Sequence, residues 1–246
     1  MEPKVELIAY TPELEVACVA AAKLCHEPDD FPVGATFGGM KGWLNQHPDH
    51  VRRVLRLCLD RGESSVVEHA SFTFYLEGIS RVLSHELVRH RIASYSQQSQ
   101  RFVKMDEPTY VMPPDIAANA NLAADFKAHM KSAWGLYKEL RKQGIVQQDA
   151  RFVLPNACTT KVVVTMNARS LMNFFNQRCD THAQWEIRQV ATMMLRAVQV
   201  VAPNIFYQYR ICQTCNTTTD INALAPSARH IRCACEKAEV AAGVKP

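Results

Sequence analysis

In the segment AQWEIRQVATMMLRAVQVV, residues 183–201, the side chains of Ile187, Val190, Ala191, Met194, Leu195 and Val198 recur at i, i+3, i+4 and i+7. That period lines one face of an α-helix with hydrocarbon, and another element must cover the face. A second segment obeys a different period. In SFTFYLEG (71–78), Phe72, Phe74 and Leu76 alternate with Ser71, Thr73 and Tyr75, which predicts a half-buried strand. A chain with both periods, several helices, few strands and no strand–helix–strand alternation is α+β.

The remaining elements follow from the same rules. KVELIAY (4–10) and KVVVTM (161–166) read as strands. PELEVACVAAAKLCH (12–26) reads as a helix with Pro12 near its first turn. EPDDFPVGATFGGMKG (27–42) is rich in Pro and Gly and is expected to be a loop. DHVRRVLRLCLDRG (49–62) places Val51, Val54, Leu55, Cys58 and Leu59 on one helical face, and Gly62 closes it. Ile79, Val82, Leu83 and Leu87 have helical spacing, which puts Arg89, His90 and Arg91 at a helix C-terminus and SYSQQSQR (94–101) in a loop. Residues 113–144 read as one long helix closed by Gly144, and NARSLMNFFNQR (167–178) as another. No repeat and no linker divides the 246 residues, so a single domain is expected, with an appended tail at 211–246 that is not a domain of its own.

Composition excludes several classes. A net charge of +4 is too small for a general nucleic-acid coat, although it allows a few arginines gathered on phosphate. The N-terminus MEPKVELIAYTPELE carries acids where a secretion signal has an apolar core, and no apolar run approaches the ~18 residues of a membrane span. The expected location is the cytoplasm, without a membrane partner. There Cys18, Cys25, Cys58, Cys158 and Cys179 are expected to be small buried hydrophobes. Cys212-x-x-Cys215, 17 residues and Cys233-x-Cys235 could enclose zinc. The single residue in the second pair is shorter than the usual spacing, and the expectation is no metal. GATFGG lacks the Lys-Ser/Thr of a phosphate-binding P-loop, and no G-x-S-x-G or H-E-x-x-H occurs. No cysteine has a local base. The difficult chemistry of any enzyme built this way belongs to a cofactor.

Four stretches concentrate chemistry. ELVRHRIASYSQQSQRF (86–102) gathers Arg89, His90, Arg91 and Arg101 around Ser94, Ser96 and Ser99. One cation in a last helical turn offsets the helix dipole. Successive helical residues point about 100° apart, however, so one solvated face cannot hold all three of Arg89–Arg91. Guanidinium forks suit phosphate. In NARSLMNFFNQR, Asn167 can cap a helix, and Arg169, Asn173 and Asn176 form a polar stripe. Arg178 shares the apolar side with Leu171, Phe174 and Phe175, and His182 lies four residues beyond it. That arginine calls for an anion or a buried ion pair. In ESSVVEH, Ser65 with Glu68 fits a capping box. QQDARFVLP carries Arg151.

RHRIASYSQQS fits the RHR-x7-S signature of the flavin-dependent thymidylate synthases. EHASFTF, HELVRHR, SQRF, ARFVLP, NARSLMNFFNQR and HAQWEI also resemble segments of that family, in the same order, across roughly residues 4 to 208. The resemblance implies a small mixed or antiparallel sheet flanked by helices. It implies reductive methylation of dUMP to dTMP, with methylenetetrahydrofolate as carbon donor, NADPH as reductant and FAD between them. It implies homotetramers whose sites draw on several subunits. By position, Ser65, Glu68, Arg89, His90, Arg91, Ile92, Gln97, Asn167, Arg169, Asn173 and His182 would meet FAD. Glu86, Arg89, Gln97, Ser99, Gln100, Arg101 and Arg151 would hold the nucleotide, with Arg178 as the catalytic group at the pyrimidine.

The chain departs from the family pattern at Glu63, where many members carry a histidine near the flavin. Three other readings stay open on sequence grounds. They are a methylase acting on the ribonucleotide UMP, an RNA- or nucleotide-binding protein without turnover, and a regulatory flavoprotein.

Overall fold

The computed structural model describes residues 2–26, 36–103, 105, 107, 109–211 and 218–220. Four strands, β1 (Lys4–Tyr10), β2 (Ser71–Ser80), β3 (Ser94–Gln97) and β4 (Thr159–Asn167), form an antiparallel sheet in the order β1-β2-β4-β3. The alternation read in β2 holds: Phe72, Phe74 and Leu76 are buried while Ser71, Thr73 and Tyr75 are only half-buried. The helices are α1 (Leu14–His26), α2 (Phe37–Gln46), α3 (Pro48–Asp60), α4 (Arg81–Leu87), α5 (Pro114–Ala117), α6 (Ala120–Lys142), α7 (Gln147–Ala150), α8 (Ala168–Arg178) and α9 (Trp185–Val201). The α+β class is as expected. A short antiparallel pair, β5 (Tyr209–Ile211) with β6 (Thr218–Asp220), follows α9. The expected tail boundary near residue 210 therefore falls inside a paired strand.

The chain folds as two compact units, and the division between them falls within β1, β2 and β4. The first, residues 1–5 with 75–164, has a core of Met105, Met130, Trp134, Tyr137, Ala150 and Cys158. The indole N–H of Trp134 donates to the Met105 carbonyl at 3.1 Å, so the buried ring leaves no unpaired donor. The second, residues 6–74 with 165–246, is mostly helical. There the α9 stripe is fully buried, from Ile187 to Val198. It belongs to a core whose aromatic centre is Phe72, Phe175, Phe206 and Tyr209, in edge-on contacts of 5.7–5.9 Å. Near its surface, Trp43 of α2 stacks on His47 at 4.1 Å.

Several local expectations fail for physical reasons. Residues 37–42, read as loop, belong to α2. Gly38, Gly39 and Gly42 each cost roughly 1 kcal/mol in a helix, but the Thr36 side chain caps the first turn and Met40 and Leu44 are buried. Residues 27–35 of that stretch lie outside the described residues. The long helix at 113–144 is two helices. Asn119 turns its side chain back onto the N–H groups of Asn121 and Leu122, at 3.1 and 3.2 Å, and restarts the helix there. Ser65 and Glu68 form no capping box; residues Ser64–His69 make a 3-10 turn without a side-chain cap. Ser94–Gln97 is a strand rather than a loop, followed by a Gln98 N–H to Lys161 carbonyl bond of 2.9 Å. Cys18, Cys58, Cys158 and Cys179 are buried, but Cys25 is exposed. The other four cysteines, Cys212, Cys215, Cys233 and Cys235, lie outside the described residues.

Candidate active site

In the first unit the arginine motif does not sit on a helix. The Ser80 hydroxyl caps α4 by accepting from the Leu83 N–H at 3.0 Å, and the helix ends at Leu87 with Val88 as its C-cap. Arg89 and His90 follow in a turn, their N–H groups donating to the carbonyls of Glu86 and Leu87 at 3.3 and 3.2 Å. Arg89, His90 and Arg91 are therefore not related by the 100° rotation of successive helical residues. The Tyr95 hydroxyl holds the turn instead, shared between the Leu87 and His90 carbonyls at 2.8 Å each. Burial pushes this phenol up to about 12, so it remains a neutral donor at ordinary pH. His90 is buried, whereas Arg89, Arg91 and Ile92 are exposed and Glu86 is half-buried.

Beyond the turn, Gln97 uses its amide inside the unit, donating to the Ser84 and Thr160 hydroxyls at 3.1 Å each. The Ser99 hydroxyl accepts from the Arg101 N–H at 3.1 Å and shapes the next bend. Arg101 is exposed, its guanidinium 5.4 Å from the Phe102 ring. Gln100 is buried, and its Nε2 has no partner among the described residues. A buried donor left unpaired costs about 1–3 kcal/mol. Arg151, in the 3-10 turn Arg151–Val153, donates Nε to the Gln148 carbonyl at 3.2 Å. Among the described residues none of Arg89, Arg91, Arg101 and Arg151 is in an ion pair.

The second unit treats its polar residues differently. Asn167 caps α8, its side chain accepting from the Ser170 N–H at 2.8 Å. Arg169 is ion-paired with Glu68 at 2.5 Å, both partly exposed. Asn173 accepts from Gln177 at 3.0 Å, and His182 Nδ1 lies 2.7 Å from Asp180 Oδ1. Arg178 closes α8 and is half-buried, while Leu171, Phe174 and Phe175 are fully buried. Ser65 is exposed on the 3-10 turn.

A sequence profile described as "Thymidylate synthase complementing protein" matches residues 6–204. A flavin-dependent thymidylate synthase of Clostridium tetani (strain Massachusetts / E88) is 46% identical over 224 residues, covering 84% of this chain and 86% of that one. One of Geobacter sulfurreducens is 46% identical over 205 residues, 82% and 85% of the two chains. One of Sulfolobus acidocaldarius is 40% identical over 209 residues, 82% and 75%. The chain belongs to the flavin-dependent thymidylate synthase family.

The residues present fit the anionic parts of a flavin dinucleotide and a nucleotide. Exposed guanidinium groups that have no counter-ion among the described residues, and a buried amide donor that has no acceptor among them, are what such ligands satisfy. The family departure at Glu63 has a local setting. The Glu63 N–H donates to the Cys58 carbonyl at 2.9 Å, and its side chain lines a hollow of about 280 Å³ with Lys23, Cys58 and Arg61. Burial and the adjacent Glu63 carboxylate both push the Cys58 thiol up. Reading the sequence missed Tyr95, Ser84 and Thr160, which the flavin-dependent thymidylate synthase signature does not single out. The one available signal is a large aromatic alternating with serines five residues after His90.

Among the described residues no helix is long and apolar enough to cross a membrane. No three His, Cys, Asp or Glu side chains among them are grouped to hold a metal ion.

Proposed function

We propose that this chain converts dUMP to dTMP by reductive methylation, with methylenetetrahydrofolate as carbon donor and NADPH as reductant, working as a cytoplasmic homotetramer with sites shared between subunits. The observation that carries this reading is the set of arginines in the first unit that have no carboxylate partner among the described residues. FAD, when bound, supplies the hydride. Arg89, His90, Arg91 and Ile92 hold it together with Ser65, Glu68, Gln97, Asn167, Arg169, Asn173 and His182. Glu86, Arg89, Gln97, Ser99, Gln100, Arg101 and Arg151 hold the nucleotide. The Gln100 amide donates to it, which relieves a buried group that has no partner among the described residues. Arg178 faces the pyrimidine and favours negative charge developing on the ring, which is electrostatic stabilisation by a fixed fork rather than proton transfer. Residues 1–210 form the catalytic part, the tail is not a separate domain, and no metal is required.

The test is an anaerobic assay of the FAD-loaded, reduced protein mixed with dUMP and methylenetetrahydrofolate. Flavin reoxidation with stoichiometric dTMP is expected. Reoxidation without dTMP would overturn the reading. With UMP as competitor, a preference for UMP would move the assignment to the ribonucleotide.

A further inference from the structure

The net charge of +4 is not shared between the two units. The first has 13 Lys and Arg against 9 Asp and Glu, and the second has 15 against 15. Part of the excess is the arginine cluster, and another part lies on α6. At 100° and 1.5 Å per residue, Lys127, Lys131, Lys138 and Lys142 fall within about 60° of one another, along about 22 Å of the helix. All four are exposed, and among the described residues none is in an ion pair or over an aromatic ring. The two carboxylates of the helix lie off this stripe. Asp125 is about 100° round from its nearer edge, and Glu139 accepts from the Gln143 amide at 2.8 Å.

The fold does not explain the arrangement. Of the four only Lys142 is in the last turn, where a cation offsets the helix dipole. Lys127 with Lys131, and Lys138 with Lys142, are i, i+4 pairs of like charge, which oppose the helix. A line of point charges suits a linear polyanion. The exposed border of the stripe is Ala124, Ala128 and Gly135, and a Cβ added at Gly135 would meet nothing within 4 Å, so a chain can lie close to the helix. Phe126, Trp134 and Tyr137 of α6 pack into the core, which leaves bases no ring to stack on. The exposed Leu122 and Leu136 are more than 100° round from every lysine, so the stripe brings no apolar anchor to a lipid surface. Ammonium groups also lack the planar fork that matches a base edge.

We propose that the α6 stripe binds the phosphodiester backbone of single-stranded nucleic acid without reading its sequence. A flexible strand can straighten along the four ammonium groups and release condensed counterions at each. The surface shares no residue with those assigned to FAD and dUMP, and it does not depend on that assignment.

The test is fluorescence anisotropy of a labelled strand of about 20 nucleotides and mixed sequence, as RNA and as DNA, titrated with the full chain between 50 and 200 mM salt. The variants are Lys127→Gln with Lys131→Gln, Lys138→Gln with Lys142→Gln, and all four together. The arginine cluster contributes equally to each, so differences isolate the stripe. At about 0.7 counterion per contact, four contacts correspond to about a 50-fold loss of affinity over that salt range. The quadruple variant is expected to lower the slope of log affinity against log salt by about 2.8 and each pair by about 1.4, for RNA and DNA alike, with a melting temperature no lower than wild type. An unchanged slope in the quadruple variant overturns the proposal, as does a wild type that binds neither strand at 50 mM salt. A strong preference among homopolymer strands also overturns it, because lysines read no bases. Phosphatidylserine vesicles and polyglutamate serve as competitors at equal charge; displacement of the strand by either would make the stripe a membrane or acidic-protein surface and overturn the nucleic-acid assignment. If the quadruple variant does not fold, the two paired variants decide on the same slope, a fall supporting the stripe and no fall overturning it.

Discussion

Arg89 lies in the RHR-x7-S signature and Arg169 in a separate family-like segment, and the two units surround them differently. Arg169 has a carboxylate of its own chain, Glu68, at 2.5 Å. Arg89, Arg91, Arg101 and Arg151 have none among the described residues. A paired guanidinium is already oriented and neutralised, so a ligand must compete for it or share it. One without a carboxylate partner keeps its field for an anion. The second unit therefore orients charge in advance, and the first keeps it available. The Tyr95 hydroxyl supplies in the first unit the rigidity that an ion pair supplies in the second.

The largest effect is expected at the end of α8. Arg178→Ala should lower kcat by about 10²-fold or more, and Arg178→Lys should rescue little, because a point charge does not replace a planar fork. Steady-state kinetics check this, and near-wild-type turnover in either variant removes Arg178 from the chemistry. Next, Arg89→Ala and Arg91→Ala should each weaken FAD binding about 10-fold or more without lowering the melting temperature, because no ion pair is lost. Flavin absorbance per protein after gel filtration reads the first quantity and calorimetry the second. A large fall in stability with flavin retained would show that these arginines are as structural as Arg169.

Tyr95→Phe should cost about 1–2 kcal/mol of stability through two carbonyls that lose their donor, with a few-fold weaker hold on ligands. Its folded-state pKa is raised to about 12, so the neutral hydroxyl's contribution is complete below its unfolded value near 10 and is lost as pH rises toward 12. Denaturation across pH 9 to 12 should show that decline in wild type and a shallower one in Tyr95→Phe; parallel curves would assign the slope to other groups. The smallest effect is expected at Glu68→Gln. Both partners are largely exposed, so the bridge to Arg169 is worth about 0.2–1 kcal/mol. A chemical-denaturation midpoint that moves well beyond that range would mean that the second unit depends on the pair for more than orientation.

What can be read without a structure is whatever repeats locally. The α9 stripe and the β2 alternation are periodic, and periodicity survives in a one-dimensional string. The arginine, serine and glutamine signature can be read by residue type and spacing. The Arg169–Glu68 pair cannot, because its members are 101 positions apart. Glu68 looks like half of a capping box because its only visible partner is Ser65. Helix α2 is hidden by its glycines, since burial of Met40 and Leu44 decides its conformation and burial is a tertiary quantity. The turn at Arg89–Arg91 reads as helix because nothing in the string announces that a tyrosine hydroxyl will take up the Leu87 and His90 carbonyls.

The buried Trp134, with its indole bonded to the Met105 carbonyl, is the only one of the chain's three tryptophans inside the first unit; Trp43 and Trp185 belong to the second. Each unit thus carries its own intrinsic optical reporter. Trp134 should emit at the blue edge until its core opens, and Trp43, stacked on an imidazole, should be dim and brighten when that stack separates. Emission followed at two wavelengths, or with Trp134→Phe as the blank, then resolves whether the two units melt together or in sequence, without attaching a dye.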